Sequence, residues 1–131
     1  MLSSKEQLEG KMPIVIPGID AKTVHSLYDD DAEVYETILR SFVSRIPEVL
    51  DKIREVSSET LPDYRIKIHA LKGSSGNVGA KEIVDAAARL EAMAKDGDLA
   101  GVLAGNRDFL ERTRVLLDDI RNWLEQFEVS I

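Results

Sequence analysis

Apolar residues along this chain return at steps of three and four, in runs separated by prolines, glycines and short acidic or serine-rich clusters. That spacing lines one face of an α-helix, whereas a half-buried strand needs strict alternation, which no stretch sustains. Tyr35, Ile38, Leu39, Phe42, Ile46, Val49, Leu50 and Ile53 predict a long amphipathic helix ending near Ser57. Ahead of it, Asp20 can N-cap a short helix reaching about Tyr28, and Asp29, Asp30 and Asp31 offer a second N-cap, with acids favoured there by the helix dipole. Pro47 falls inside the long run, where it removes one backbone donor and either kinks the helix or marks the junction of two.

A third helix is predicted from the first-turn Pro62 to a stop at Gly79, with Leu61, Tyr64, Ile68, Leu71, Ser75 and Val78 as its mostly apolar stripe. A fourth begins at about Ala80 and runs through Ala86, Ala87 and Ala88 to Lys95, with Gly97 as its C-cap and Ile83, Ala87, Leu90 and Ala94 facing inward. The last run, from Leu99 through Val102, Leu110, Leu117, Ile120 and Leu124 to Phe127, predicts a long terminal helix, with a break at Gly101 or Gly105 left open. Four amphipathic helices with short connections make an all-α antiparallel four-helix bundle with a short additional N-terminal helix. Residues 1–18, polar and then proline-punctuated, read as a flexible lead-in, leaving 19–131 as the bundle domain.

Composition narrows what such a bundle does. At 131 residues the chain has room for one domain and one core. It has no cysteine, which removes disulfides, thiolate catalysis and cysteine-ligated metal sites, and suits a reducing compartment, so a cytoplasmic location is expected. The start, MLSSKEQLEGK, carries charges where a signal peptide needs an apolar run, and the longest apolar stretch, Met12 to Ile19, is broken by Pro13, Pro17 and Gly18, so no membrane role is expected. With 24 acids against 17 bases, the net charge of −7 opposes nucleic-acid binding.

The chemistry concentrates in His69-Ala70-Leu71-Lys72-Gly73-Ser74-Ser75-Gly76-Asn77-Val78-Gly79-Ala80. On a helix turning about 100° per residue, His69, Lys72, Gly73 and Gly76 fall within about 100° of arc, opposite the apolar stripe. The histidine therefore faces away from the core. Each glycine costs the helix roughly 1 kcal/mol relative to alanine, and close approach of another molecule is the natural reason for two of them beside a histidine. Lys72, one turn on, places an ammonium where it can screen a phosphoryl group on the imidazole, itself a competent nucleophile near neutral pH. With the hairpin turn centred on Ala80, His69 and Glu91 each lie 11 positions away and so sit at one level in antiparallel helices. A carboxylate there can accept from one ring nitrogen, fix the tautomer and leave the other nitrogen free to attack. His25 has neither cleared neighbours nor a placed lysine and reads as an ordinary surface histidine.

The string HALKGSSGNVGA resembles the signature of histidine phosphotransfer (HPt) domains: a histidine, a hydrophobic residue two positions on, then lysine-glycine-serine, with glycine-alanine closing the helix. The similarity extends to GIDAKTVHSLYDDDAEVYETILRSF and to ARLEAMAKDGD, and so covers roughly residues 18 to 98. The resemblance implies a four-helix bundle with His69 as phosphoacceptor, Lys72 near the phosphate, Gly73 as the gap for an approaching receiver domain, and Glu91 where the family places a glutamine or glutamate bonded to the histidine. Gly76 and Lys95, the latter one turn beyond Glu91, join the expected docking or phosphate vicinity.

The expectation is a phosphocarrier, not an enzyme: the glycines of GSSGNVG lack the preceding strand and terminal lysine of a nucleotide-binding loop, and no metal-ligand spacing is present. It has no cofactor of its own, Mg2+ being expected on the partner receiver. Response-regulator receiver domains and a hybrid sensor histidine kinase are the implied partners, and a monomer is expected. Two alternatives stand beside this: a phosphoacceptor domain excised from a larger hybrid or chemotaxis-type kinase, against which Met1 and the polar N-terminus weigh, and a non-phosphorylated helical adaptor.

Overall fold

The computed structural model describes residues 14–130, which form five helices and no strand. These are α1 (Ala21–Tyr28), α2 (Ala32–Lys52), α3 (Leu61–Val78), α4 (Lys81–Lys95) and α5 (Leu99–Ser130). The long helices close into a ring, α2 on α3, α3 on α4, α4 on α5 and α5 on α2, with α1 leaning on α2. Every seam is antiparallel. Tyr35 meets Val78 while Arg45 lies beside Ser74, Gly76 faces Val84 while His69 meets Glu91, and Glu82 pairs with Arg112 while Leu90 meets Gly105.

The caps are those the acidic residues predict: the Asp20 carboxylate accepts from Thr23 N at 2.9 Å and that of Asp31 from Val34 N at 3.2 Å. The buried residues of α3 are Leu61, Tyr64, Ile68, Leu71, Ser75 and Val78, the predicted stripe. At three places where the sequence pattern left a choice or set a boundary, tertiary packing decides. Helix α2 runs unbroken through Pro47, because Ile46 and Leu50 on either side are buried in the core, each contributing roughly 1.5–3 kcal/mol, which offsets one missing hydrogen bond. It ends at Lys52, short of Ser57, and the Ile53 carbonyl accepts from the buried Asn106 side chain at 2.8 Å, whose Oδ1 in turn accepts from Tyr64 Oη at 2.8 Å. Helix α5 is continuous through Gly101 and Gly105: Asp98 caps the Gly101 amide at 2.9 Å, and a Cβ at Gly105 would stand 3.3 Å from Leu90. Those glycines are where neighbours come close, not where the helix stops.

Of the expected lead-in, residues 1–13 lie outside the described residues, but 14–18 do not run free: Ile16 is 4% exposed, and Ile14 and Ile19 pack against the same core. At the far end of α3, Gly79 adopts φ 83°, its carbonyl accepts from Asp20 N at 2.8 Å, and a Cβ there would stand 3.0 Å from Val24. Tyr28 and Tyr35 donate to the Asn77 and Val78 carbonyls at 2.6 and 2.7 Å, so α1 and α2 together fasten the end of the helix that carries His69. Gly79→Ala is expected to lower stability by about 1–2 kcal/mol from the left-handed backbone alone. Urea unfolding measures it; a parent-like midpoint contradicts the strain assigned to this turn.

Candidate functional site

The α3–α4 hairpin sets the register of the site. Gly79 ends α3 in the left-handed conformation, its amide returning to Gly76 and that of Ala80 to Ser75, and α4 starts at once. Two regular helices then carry His69 and Glu91 to the same height, and the small Ala87 and Ala94 on the α4 inner face keep the pair close.

Glu91 is the centre of the arrangement. One of its oxygens accepts from His69 Nδ1–H and the other from Lys72 Nζ at 2.5 Å. The histidine side chain is 68% exposed and the carboxylate beneath it 18%, so Glu91 is a partly sheltered anchor and the imidazole stands above it. Since a carboxylate can only accept, the bonded ring nitrogen carries the proton, and in the neutral ring the lone pair is then that of Nε2. The Lys72 ammonium, and after it the bond from His69, hold the Glu91 carboxyl below the usual carboxylate range against the opposing effect of burial. Because the shift is downward, the pairing stabilises the fold above the ordinary carboxylate pKa and is lost as the pH falls through the lowered value. At neutral pH the carboxylate is ionised and shared.

Of the residues singled out in the sequence, His69, Lys72 and Glu91 are brought together. Gly73 leaves open space: a Cβ built there meets nothing within 4 Å. Gly76 does not. Its Cβ would stand 3.8 Å from Val84, an ordinary van der Waals contact, because α4 lies on that side of α3. Lys95 is exposed one turn beyond Glu91 and makes no ion pair among the described residues. His25 is exposed on α1, bonded through Nδ1 to Asp30 at 2.7 Å, and Asp30 raises its pKa.

Sequence reasoning missed Ile66. It is 69% exposed on α3, three residues before His69, and with Ala70 and Gly73 it makes a low, apolar surface beside the imidazole. An isoleucine outside the stripe of an otherwise regular helix was the available signal.

No described helix is long and apolar enough to cross a membrane. Neither the curated proteins nor the solved structures give a match. Among protein families, residues 37–126 match the Hpt domain, a span that takes in most of α2 and α5 and all of the hairpin bearing His69 and Glu91. A helical ring that keeps its core intact while holding one histidine out to solvent is what a phosphoryl carrier requires, and with that match over most of its length the chain belongs to the Hpt domain family, the histidine phosphotransfer modules of two-component phosphorelays.

Proposed function

We propose that this protein carries a phosphoryl group on Nε2 of His69 between the aspartates of receiver domains. The observation that carries the reading is the exposed imidazole whose other nitrogen is already occupied by Glu91. The lone pair of Nε2 attacks the phosphorus of an aspartyl phosphate; the N–P bond forms, the P–O bond to aspartate breaks, and that electron pair leaves as the aspartate carboxylate. The Nδ1 proton stays in its bond to Glu91, which stabilises the positive charge the ring acquires. The reverse passage delivers the group to a second receiver.

Mg2+, where the transfer uses it, belongs to the receiver. Lys72 puts positive charge beside the transferring group, and Lys95 adds charge at the rim of the same face. Exposed Ile66, with Ala70 and Gly73 on the same face of α3 as His69, supplies the docking surface: one apolar side chain beside two positions with little or no side chain.

The direct test is incubation of the protein with a receiver charged by acetyl phosphate. The expected product is an acid-labile, alkali-stable label on the peptide containing His69. A receiver that loses its phosphate only to water, with no label on the protein, removes the proposal.

A further inference from the structure

We infer that this protein pairs with a second copy of itself through the outer face of α5, in place of the monomer expected from sequence. The ridge formed by Leu103, Arg107, Glu111 and Val115 of each copy seats in the groove beside the same ridge of the other. The inference goes beyond the phosphoacceptor reading and does not depend on it.

Helix α5 turns about 100° per residue, so these positions, four apart, form one slanting row within about 120° of arc, opposite the buried Phe109. All four are exposed, and the two at the ends are apolar, Leu103 at 52% and Val115 at 60%. A bundle helix with water on its outer face carries polar residues there, whereas here an apolar side chain stands at each end of a charged pair. Between this row and the next, Asn106, Leu110 and Arg114, runs a groove of about 390 Å³, with Arg54, just past the end of α2, on its wall.

The row is complementary to itself. Two copies of a helix that cross antiparallel, with such rows packed ridge into groove, bring together residues equally spaced about the two-fold axis. With that axis level with Phe109, Leu103 meets Val115 of the second copy and Arg107 meets Glu111 of the second copy, and each pairing occurs twice. In a parallel pairing in register, Arg107 would face Arg107 and Glu111 would face Glu111, so charge selects the antiparallel arrangement. The incoming Glu111 also reaches the part of the groove walled by Arg54, which makes no ion pair among the described residues. Arg107 has one, to Glu111 of its own helix, loose at 3.8 Å, and the third arginine of the groove, Arg114, faces Asp51 at 3.9 Å. In a chain of net charge −7, a groove with three arginines, one carboxylate and the apolar Leu103 and Leu110 calls for an occupant bringing both a carboxylate and aliphatic side chains, and the ridge brings both.

Helix α5 stands across the ring from α3, so the pairing leaves both His69 imidazoles uncovered. A single helix crossing lies at the small end of specific interfaces, and its ion pairs are exposed and screened by salt. A dissociation constant on the order of 10–100 μM is therefore expected, rising as salt is added.

Sedimentation equilibrium of the whole chain, from about 5 μM to about 1 mM, brackets that constant and tests the inference. The parent is expected to pass from monomer to dimer over this range. Glu111→Arg sets arginine against arginine, and Arg107→Glu sets carboxylate against carboxylate, so each variant alone is expected to associate at least about tenfold more weakly. An equimolar mixture of the two contains one ion pair as in the parent and one with its partners exchanged, and is expected to regain parent-like association as a mixed dimer. That recovery also shows that neither variant lost association by misfolding. A parent that stays monomeric to the highest concentration, single variants that associate as the parent does, or a mixture that associates no better than its components overturns the inference; the first of these leaves the α5 face to a protein of another kind, the second places self-association on another surface.

Discussion

His69→Gln is expected to abolish phosphoryl acceptance while leaving the unfolding midpoint within a degree or two of the parent. The imidazole is the exposed nucleophile of the cluster: Lys72 is bonded to Glu91, and Glu91 is sheltered. Glutamine has no nucleophilic nitrogen, yet its amide N–H can still donate to Glu91, so the carboxylate keeps two partners. The replaced ring is 68% exposed, and exposed substitutions away from core and caps change stability by about 0.5 kcal/mol or less. The remaining histidine is not a substitute. His25 is bonded to Asp30, which raises its pKa, so near neutral pH a larger share of it is imidazolium without a free lone pair. Label persisting in the variant, or moving to the His25 peptide, defeats the site assignment; a collapsed unfolding midpoint defeats the claim that this histidine stands outside the core.

The parts of this fold legible from sequence are those decided within a few residues. Asp20 and Asp31 cap because a short carboxylate reaches an amide three positions on whatever the rest of the chain does. The α3–α4 register was legible for a related reason: Gly79 fixes the turn, and regular helices on both sides turn an equal count of residues into equal height, which brings Glu91 to His69. What could not be read were outcomes of competition between local and distant terms. Proline and glycine are breakers judged locally, but Pro47 is flanked by buried Ile46 and Leu50, and Gly105 is where Leu90 presses in, so both helices run on. The Asn106 link to Tyr64 and Ile53 joins three elements distant in sequence and has no sequence period. At the site, helical spacing placed Lys72 near His69 but could not say which anion would take its ammonium, and it grouped Gly76 with Gly73 although α4 covers only one of them.

That difference between the two glycines makes Gly73 the second position of large effect. Side chains on a helix lean toward its N-terminus, so a residue four positions after His69 covers the surface over the imidazole and not the surface over itself. Glycine leaves that surface bare, and a Cβ there would meet nothing within 4 Å. Gly73→Ala adds one carbon in open space and is expected to raise stability by up to about 1 kcal/mol with a modest loss of rate. Gly73→Gln should share the gain in helix stability, but its longer side chain reaches back across the path along which a receiver aspartate approaches Nε2. Displacing the reacting groups by about 1 Å costs on the order of 100-fold in rate, which is the expected loss. Gly73→Glu should lose more, since its carboxylate also repels the transferring phosphoryl group and competes with Glu91 for Lys72. The measurement is quenched-flow transfer from a charged receiver, beside urea unfolding of each variant. The outcome that discriminates is opposition between the two readouts, with the variants more stable and slower together. Loss of rate with loss of stability would trace the defect to a damaged helix, and undiminished transfer in the glutamine and glutamate variants would mean that the receiver reaches His69 from another side.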